Sequence, residues 1–332
     1  MAKIVGVFNG QDIHEVVLTS QTGVSVAILT YGALIRDWRV PVAGEMRPVV
    51  LGFDEFSSYP DHSPYFGAIA GRVANRIGGA RFTLHGAVYD LPANEGPNHL
   101  HGGPEGIAHQ IWRIAEESET SVTLTLFSPD GAMGYPGDLE IAVTYRLEGN
   151  RLEIDFAAET DRPTPVNIVQ HNYFNLMGRG DVLDHRLSFA AGAYTELGEG
   201  QIPTGAILPT KGTELDFREA RTMRQTDGSG QKIDCNFVLD TRRDQTEPVA
   251  MAEAPDGSLT LRIYTDQPGL QVYNGWTRDV AVPGLDGAQY HAFSGLCLED
   301  QNFPDAINNP HFPTPVVTPE EPYRHWCAIE IA

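Results

Sequence analysis

Residues 139–156 read Leu139-Glu140-Ile141-Ala142-Val143-Thr144-Tyr145-Arg146-Leu147-Glu148-Gly149-Asn150-Arg151-Leu152-Glu153-Ile154-Asp155-Phe156. Apolar and polar side chains alternate in both halves of this stretch, as in a β-strand with one buried face. The short connection at 148–151 contains Gly and Asn, which favour tight turns. The stretch therefore predicts an antiparallel β-hairpin.

The same alternation recurs along the chain. It is clear at 121–127, and further strands are predicted at 12–18, 25–29, 259–265, 270–273 and 326–331. Few segments show the 3.6-residue period of a helix, and those are short, such as 216–221. Many short strands separated by Gly, Pro, Asn and Asp predict an all-β fold, a large antiparallel β-sandwich with few short helices. Without a low-complexity linker or a fixed-period repeat, residues 1–332 are predicted to form a single domain.

The composition restricts the classes of partner. Lys and Arg number 23 against 44 for Asp and Glu, and the formal net charge is −21. Such a balance argues against binding to nucleic acid or to an anionic membrane surface, and it is compatible with a neutral or cationic small molecule as the partner. The sequence shows neither a secretory signal pattern nor an apolar run of about 18 residues. Its three cysteines form no CxxC pair, so a cytoplasmic location without disulfides is expected.

A carboxylate in the segment 296–306 is the first candidate catalytic group. Glu299 ends an apolar, strand-like run, just before a loop that contains Pro304. Partial burial raises the basicity of a carboxylate, so this position suits a general base. The alternative is a solvated residue at the end of a strand.

Two further segments carry groups that suit ligand binding. In 71–79, glycines flank Arg72, Asn75 and Arg76, which could face ligand oxygens or pair with surface carboxylates. In 98–103, His99 and His101 are spaced as two ligands of a cupin-like metal site, with Glu105 nearby. The glycines after His101 and the alanine at position 93 both weigh against that site. A structural histidine and a ligand-facing one are the remaining choices.

Two shorter segments are ambiguous when each is taken alone. His171 stands among aromatic and amide residues, and Asp234 opens an apolar run. Both residues have ordinary structural roles in many proteins. Nucleophilic catalysis has no support, because the sequence lacks a GxSxG elbow and a recognisable cysteine signature.

Taken together, six blocks resemble the aldose 1-epimerase family in order and approximate spacing. They are GRVANRI (71–77), NHLHGG (98–103), HNYFNL (171–176), PTG (203–205), DCNFVL (234–239) and LEDQNFPDAINNPHFP (298–313). The resemblance runs from about the first predicted strand to the last. It implies the β-supersandwich of that family, in agreement with the strand pattern.

The resemblance also implies a reaction. A member of this family would be a cofactor-independent isomerase that interconverts the α and β anomers of a free aldohexose such as D-galactose or D-glucose. Glu299 resembles the base that takes the proton of the C1 hydroxyl, and His171 the acid that protonates the ring oxygen O5. Their ordinary pKa values are about 4.3 and 6.5, so modest tuning would leave Glu299 ionised and His171 protonated. The two groups are expected to face each other across a sugar-sized gap.

The remaining blocks acquire sugar-binding roles through the same resemblance. They are assigned to Asn75, Arg76, His101, Asp234 and Gln271, with Asn172 and Tyr173 as further contacts. No metal or other cofactor is implied, and both a monomer and a homodimer remain open. Cys235, Asn172 and Asp300 depart from the usual pattern and bear on which sugar fits. The alternatives are a non-catalytic sugar-binding module on the same fold, and an epimerase of a hexose 6-phosphate or of another sugar. A phosphate would need basic residues around the pocket.

Overall fold

The computed structural model of the protein describes residues 2–332, and these residues form mostly β-strands. The first strands are β1 (Lys3–Phe8), β2 (Gln11–Thr19), β3 (Ser25–Leu29), β4 (Ile35–Val42), β5 (Glu45–Pro48), β6 (Ile69–Ala70), β7 (Arg76–Ile77), β8 (Arg81–Leu84), β9 (Ala87–Asp90) and β10 (His99–Leu100). Next come β11 (Arg113–Glu117), β12 (Ser121–Ser128), β13 (Leu139–Glu148), β14 (Arg151–Thr160), β15 (Thr164–Pro165), β16 (Val169–Gln170), β17 (Arg186–Phe189), β18 (Ala191–Leu197) and β19 (Pro203–Pro209). The last are β20 (Asp234–Leu239), β21 (Ala250–Glu253), β22 (Thr260–Thr265), β23 (Gly269–Tyr273), β24 (Cys297–Gln301), β25 (Val316–Val317) and β26 (Tyr323–Ile331).

Helices are few and short. Within the described residues the one α-helix is α1 (Tyr59–His62), and the other helical turns are 3-10 turns. These turns lie at Phe56–Ser58, Gly78–Ala80, Ile107–His109, Ala132–Gly134, Glu199–Gln201, Leu285–Gly287 and Ala306–Asn308. In residues 2–332 no helix has the length and apolar character needed to cross a bilayer.

Three large sheets make up the architecture. One has eight strands in the order β11-β12-β13-β14-β26-β22-β21-β17, one has five in the order β1-β2-β3-β4-β5, and one has five in the order β19-β18-β20-β23-β24. Neighbouring strands within these sheets run antiparallel. The largest apolar cluster takes side chains from all three sheets, among them Trp38, Phe156 and Leu298. The predicted all-β antiparallel sandwich is therefore confirmed.

The hairpin predicted at 139–156 lies at the centre of the eight-stranded sheet. Its pairing runs without interruption from Leu139 opposite Thr160 to Glu148 opposite Arg151. Only Gly149 and Asn150 make the turn, and Gly149 has φ of +58°, which glycine adopts at little cost. Side chains of alternate residues are buried, so the apolar face of the hairpin packs into the core as the alternation predicts.

One predicted helix is wrong. Residues 216–220 form an irregular segment with a bend at 218–219, and the backbone of Arg221 pairs with that of Leu187 through hydrogen bonds of 2.8 and 3.0 Å. Those bonds occupy the N–H and C=O groups that a helix would need. Phe217 is buried against Phe189 and Phe237, so its burial serves the sheet core rather than a helix.

The segment that contains Glu299 differs from its predicted form. Glu299 is the third of five residues in β24, not a residue at the strand end, and Gln301 still pairs with Gly269 of β23. The strand continues because all five of its residues pair with β23, and its polar residues are all buried. The residues before and after Glu299 therefore both pair with β23, which fixes the backbone of Glu299.

Candidate active site

Three neighbouring strands present polar groups to one side of their sheet. Gln271 of β23 pairs with Glu299 of β24 and with Asn236 of β20. Asp234 lies two residues before Asn236 and on the same face of β20, because side chains alternate along a strand. The side-chain amide of Gln271 donates to the Asp234 carboxylate at 2.6 Å. The strand register thus places Asp234, Gln271 and Glu299 next to each other.

These groups line a cavity of about 270 Å³. That volume is just below the roughly 300–1,000 Å³ of many small-molecule sites, so it suits a single small polar ligand. The other lining side chains come from loops and short strands: Tyr65, Asn75, Arg76, Glu95, Leu100, His101, His171, Tyr173, Gln201, Tyr273, Trp276, Thr277 and Arg278.

An imidazole and a carboxylate meet at the wall of the cavity. Nε2 of His171 lies 3.7 Å from Oε1 of Glu299, and the side chains are only 5% and 3% exposed. The prediction that a sugar-sized gap separates the two groups is wrong. Both groups approach from adjoining segments, because β16, which precedes His171, contacts β24. Oε2 of Glu299 has no hydrogen-bond partner within residues 2–332, which leaves a buried acceptor for a ligand donor.

Aromatic packing fixes the ring of His171. The rings of Tyr65 and Tyr173 stack on it, with centroids at 5.7 and 5.2 Å and interplanar angles of 26° and 25°. Tyr173 is itself held, since its hydroxyl donates to the carbonyl of Pro64 at 3.1 Å. This packing aims Nε2 toward Glu299.

Burial changes the protonation of the pair. It lowers the pKa of His171 to about 3, with a smaller contribution from the charge of Arg278. Burial, and next the nearby Asp234, raise the pKa of Glu299 well above its ordinary value. Both shifts favour a neutral pair in the free site with the proton on Glu299, the opposite of the ionised Glu299 and protonated His171 expected from modest tuning.

His101 and Asn75 hold each other in place. The pairing of Leu100 with Arg76 brings their neighbours together. The backbone N–H of Asn75 donates to Nδ1 of His101 at 3.2 Å, and the N–H of His101 donates to the carbonyl of Asn75 at 3.0 Å. Both residues have left-handed φ angles, +59° and +50°. Because Nδ1 accepts a hydrogen bond, the proton of neutral His101 is on Nε2.

That tautomer bears on metal binding. His101, His171 and Glu299 each place a possible ligand atom within 4.8 Å of the other two. A protonated Nε2 has no lone pair for a metal, so the hydrogen bond from Asn75 disfavours a three-ligand site. The cupin-like arrangement is not assembled either. Nδ1 of His99 lies 2.7 Å from the carbonyl of Pro92, and Glu105 lines a different cavity.

Arg76 is locked by a carboxylate that the sequence pattern did not single out. Its Nε and one terminal nitrogen donate to the two oxygens of Glu95, each at 2.6 Å. This bidentate geometry fixes the guanidinium plane at the cavity wall. Arg76 both pairs with a carboxylate and faces the cavity, so the two sequence interpretations of this arginine were not exclusive.

Of the nine side chains assigned by resemblance, eight line the cavity and Asn172 does not. Asn172 is completely buried, and its side-chain amide donates to Oε1 of Gln170 at 2.7 Å. The assignment of Asn172 as a sugar contact has no support in this geometry. The cavity adds Tyr65, Glu95, Trp276 and Arg278, which sequence reasoning missed because each belongs to a loop without a local signature.

A second buried pair lies behind Glu299. Asp300 points to the opposite face of β24, where its carboxylate accepts from Nε2 of His325 at 2.5 Å and from the hydroxyl of Thr265 at 2.6 Å. Nδ1 of His325 lies 3.1 Å from the carbonyl of Ile168. Nδ1 also lies 3.3 Å from the hydroxyl of Tyr323, and although burial lowers the pKa of this imidazole, the Asp300 carboxylate raises it above its ordinary value. The pair joins β24 to β22 and β26, and hence one large sheet to another.

Comparison with known proteins agrees with the fold. The profile described as aldose 1-epimerase matches residues 14–330. The chain is 42% identical over 316 residues to a galactose mutarotase from Mus musculus, covering 93% of this chain and 92% of that protein. It is 35% identical over 316 residues to the aldose 1-epimerase of Escherichia coli K12, with 92% and 91% covered.

Solved structures show the same architecture. A crystal structure of an aldose epimerase homologue from C. elegans superposes with a TM-score of 0.91 at 28% sequence identity, covering 96% of this chain and 98% of that one. The profile match and the extent of the sequence identity together decide the family. The chain belongs to the aldose 1-epimerase family of isomerases.

Proposed function

We propose that the protein interconverts the α and β anomers of a free aldohexose, such as D-galactose or D-glucose, by opening and reclosing the pyranose ring. The observation that carries this proposal is the 3.7 Å approach of His171 and Glu299 inside a monosaccharide-sized cavity. The hydroxyl oxygen O1 and the ring oxygen O5 are both bonded to C1. A base and an acid that serve them must therefore lie close together.

The proton balance of the reaction needs one base and one acid. Glu299 takes the proton of the O1 hydroxyl while the C1–O1 bond becomes a carbonyl. The C1–O5 bond breaks, its electron pair stays on O5, and His171 donates a proton to that oxygen. After rotation about C1–C2, O5 attacks the other face of C1. His171 takes back the O5 proton, and Glu299 returns its proton to O1.

Substrate binding supplies the charge state that these proton transfers need, an ionised Glu299 and a protonated His171. In the free site the single proton of the pair favours Glu299. The orphan Oε2 of Glu299 would accept a hydrogen bond from a sugar hydroxyl, and such a bond stabilises the carboxylate. The positive charge of Arg76 acts in the same direction. The proton then moves to His171, the acid of the ring-opening step.

The remaining polar groups suit recognition of sugar hydroxyls. Asp234 and Gln271 offer acceptors and a donor on the same wall as Glu299, and Nε2–H of His101 offers a donor. Arg76 presents a fixed guanidinium. Tyr173 contributes through the His171 ring that it supports, because its hydroxyl is already bonded to Pro64.

A non-catalytic sugar-binding module is the competing function. Such a module has no need for a buried acid and base beside one another, and burial of both groups is costly. The test is polarimetry of freshly dissolved α-D-galactose and α-D-glucose with catalytic amounts of protein. Faster equilibration is expected. Sugar binding by calorimetry without any acceleration would instead identify a binding module.

A further inference from the structure

Arg278 lines the cavity from the loop that follows β23. Its guanidinium carbon lies 5.8 Å from the centre of the Tyr273 ring, within the range of a cation–π contact. The ring of Tyr273 packs edge-on against that of Tyr173, with centroids 6.2 Å apart, and Tyr173 stacks on His171. Arg278 therefore lies on the side of the cavity that holds His171.

The charge of Arg278 is not balanced by a neighbouring carboxylate. The other arginine of the cavity, Arg76, is neutralised by Glu95, and Asp279, next to Arg278 in sequence, pairs with His291 at 2.8 Å. Within residues 2–332, no carboxylate oxygen lies within 4.0 Å of the Arg278 guanidinium, although most arginines in this acidic protein do have such a partner. An unpaired guanidinium at a cavity wall is available to an anionic ligand group.

The proposed chemistry says which part of a sugar would meet Arg278. His171 serves O5, and the atom beyond O5 in the ring is C5, which carries the exocyclic C6. A substituent on C6 thus extends on the His171 side of the cavity. We propose that the cavity accepts aldohexoses with an anionic group at C6, and that Arg278 is the specificity-determining residue that binds this group. This inference rests on the proposed interconversion of anomers.

The cavity favours a carboxylate over a phosphate. A carboxylate is planar, carries one charge and matches a single guanidinium fork. A phosphate carries up to two charges, and Asp234 and Glu299 share the cavity with Arg278 as the one unpaired cation of its described lining. The substrates inferred are therefore aldohexuronic acids, in which C6 is a carboxylate.

The experiment compares kcat/KM for five sugars of three classes with the same protein. Exchange between anomers is measured by NMR for D-galacturonate, D-glucuronate, the two parent hexoses and D-glucose 6-phosphate. The test variant is Arg278→Gln, which removes the charge. A second variant, Arg278→Lys, keeps the charge but lacks the paired N–H donors of the guanidinium. The matched control is Arg113→Gln, which removes one charge from an exposed site that lines another cavity, on the eight-stranded sheet.

The measured quantity is the ratio of kcat/KM for a uronate to that for its parent hexose. We expect Arg278→Gln to lower this ratio by roughly 10–100-fold, the worth of one charge-assisted contact. Arg278→Lys should lower it less, and Arg113→Gln should leave it unchanged. Turnover of hexoses without turnover of uronates, or an unchanged ratio in Arg278→Gln, overturns this inference alone. A phosphate preferred over the uronates overturns the carboxylate assignment. Absence of exchange with every sugar overturns the proposed function as well.

Discussion

Nε2 of His171 lies 3.7 Å from Oε1 of Glu299, with both side chains buried at one wall of the cavity. This separation exceeds that of a hydrogen bond, so neither group is satisfied by the other alone. It is also too short for a ring to lie between them. In the proposed mechanism the two groups act from one side on two oxygens of the same carbon.

Loss of either group should remove most of the activity. We expect Glu299→Gln and His171→Asn each to lower kcat by about 10²–10⁴-fold, the usual contribution of a positioned acid or base. The double variant should fall little further, because the two groups act as a unit. Polarimetric kcat values give the comparison, with Glu140→Gln on an exposed strand face as the control. Full activity in either single variant would contradict the assignment of acid and base.

The pH profile of kcat/KM should be broad. The one-proton form of the pair gains a second proton only near the lowered pKa of His171, about 3, and loses its proton only above the raised pKa of Glu299. Activity should therefore stay level across the interval of about 4.3 to 6.5 between the ordinary pKa values and decline only well outside it. Initial rates between pH 4 and 9, corrected for the spontaneous reaction, are the measurement. A narrow maximum inside that interval would mean that burial does not govern the pair.

Glu95 should act on substrate binding through Arg76. Glu95→Gln replaces a bidentate carboxylate partner by an amide, so the Arg76 guanidinium loses its fixed orientation. We expect KM to rise about 3–10-fold with little change in kcat, the pattern of a lost uniform binding contribution. Glu105→Gln, at an exposed position near a different cavity, is the control. A fall in kcat at constant KM would place Glu95 in the chemical step instead.

Chelators should not affect the rate. The proton of His101 is on Nε2 because Nδ1 accepts from Asn75, so the three clustered groups cannot all offer lone pairs to a metal. The measurement is polarimetry after dialysis against a chelator. Inactivation that is reversed by adding a divalent metal would contradict this tautomer.

The buried pair of Asp300 and His325 should make stability depend on pH. Burial lowers the pKa of His325, but Asp300 outweighs burial and the net pKa is raised. The contribution of the pair is therefore complete below the unfolded pKa of about 6.5 and is lost as pH rises through the folded value. Asp300→Ala should lower the free energy of unfolding by about 3–5 kcal/mol at pH 6 and by less at pH 9.

Urea unfolding at both pH values measures this difference. Asp12→Ala, at an exposed position in β2, is the control and should change stability little. An Asp300→Ala deficit that grows with pH would show that His325 is neutral in the folded protein.

Sequence patterns predicted the strands and the hairpin more reliably than they predicted the site. Alternation in 139–156 predicted the hairpin of β13 and β14, since a strand with one buried face leaves a clear period of two, but the predicted connection at 148–151 is longer than the two-residue turn of the structure. The same reasoning ended the strand of Glu299 too early, because buried polar residues in β24 look like a loop when their partners in other strands are unknown.

The site residues were predicted from motif resemblance, which does not give the distances between them. His171 and Glu299 each belong to a recognisable block, but their 3.7 Å separation and shared burial depend on the contact of β16 with β24. Glu95, Tyr65 and Arg278 lie in loops, and their proximity to the cavity arises only from the folded chain. The pKa values likewise depend on burial, which local sequence does not give.

The adjacent carboxylates of Glu299 and Asp300 also bear on how β24 finds its register. One faces the cavity and the other faces His325, and a slip by one residue would exchange them. The longer side chain would then meet His325, and the shorter one would have to reach the cavity. In the native register Asp300 accepts from both His325 and Thr265 while Glu299 remains at the cavity, so the contacts behind β24 favour the alignment on which the site depends.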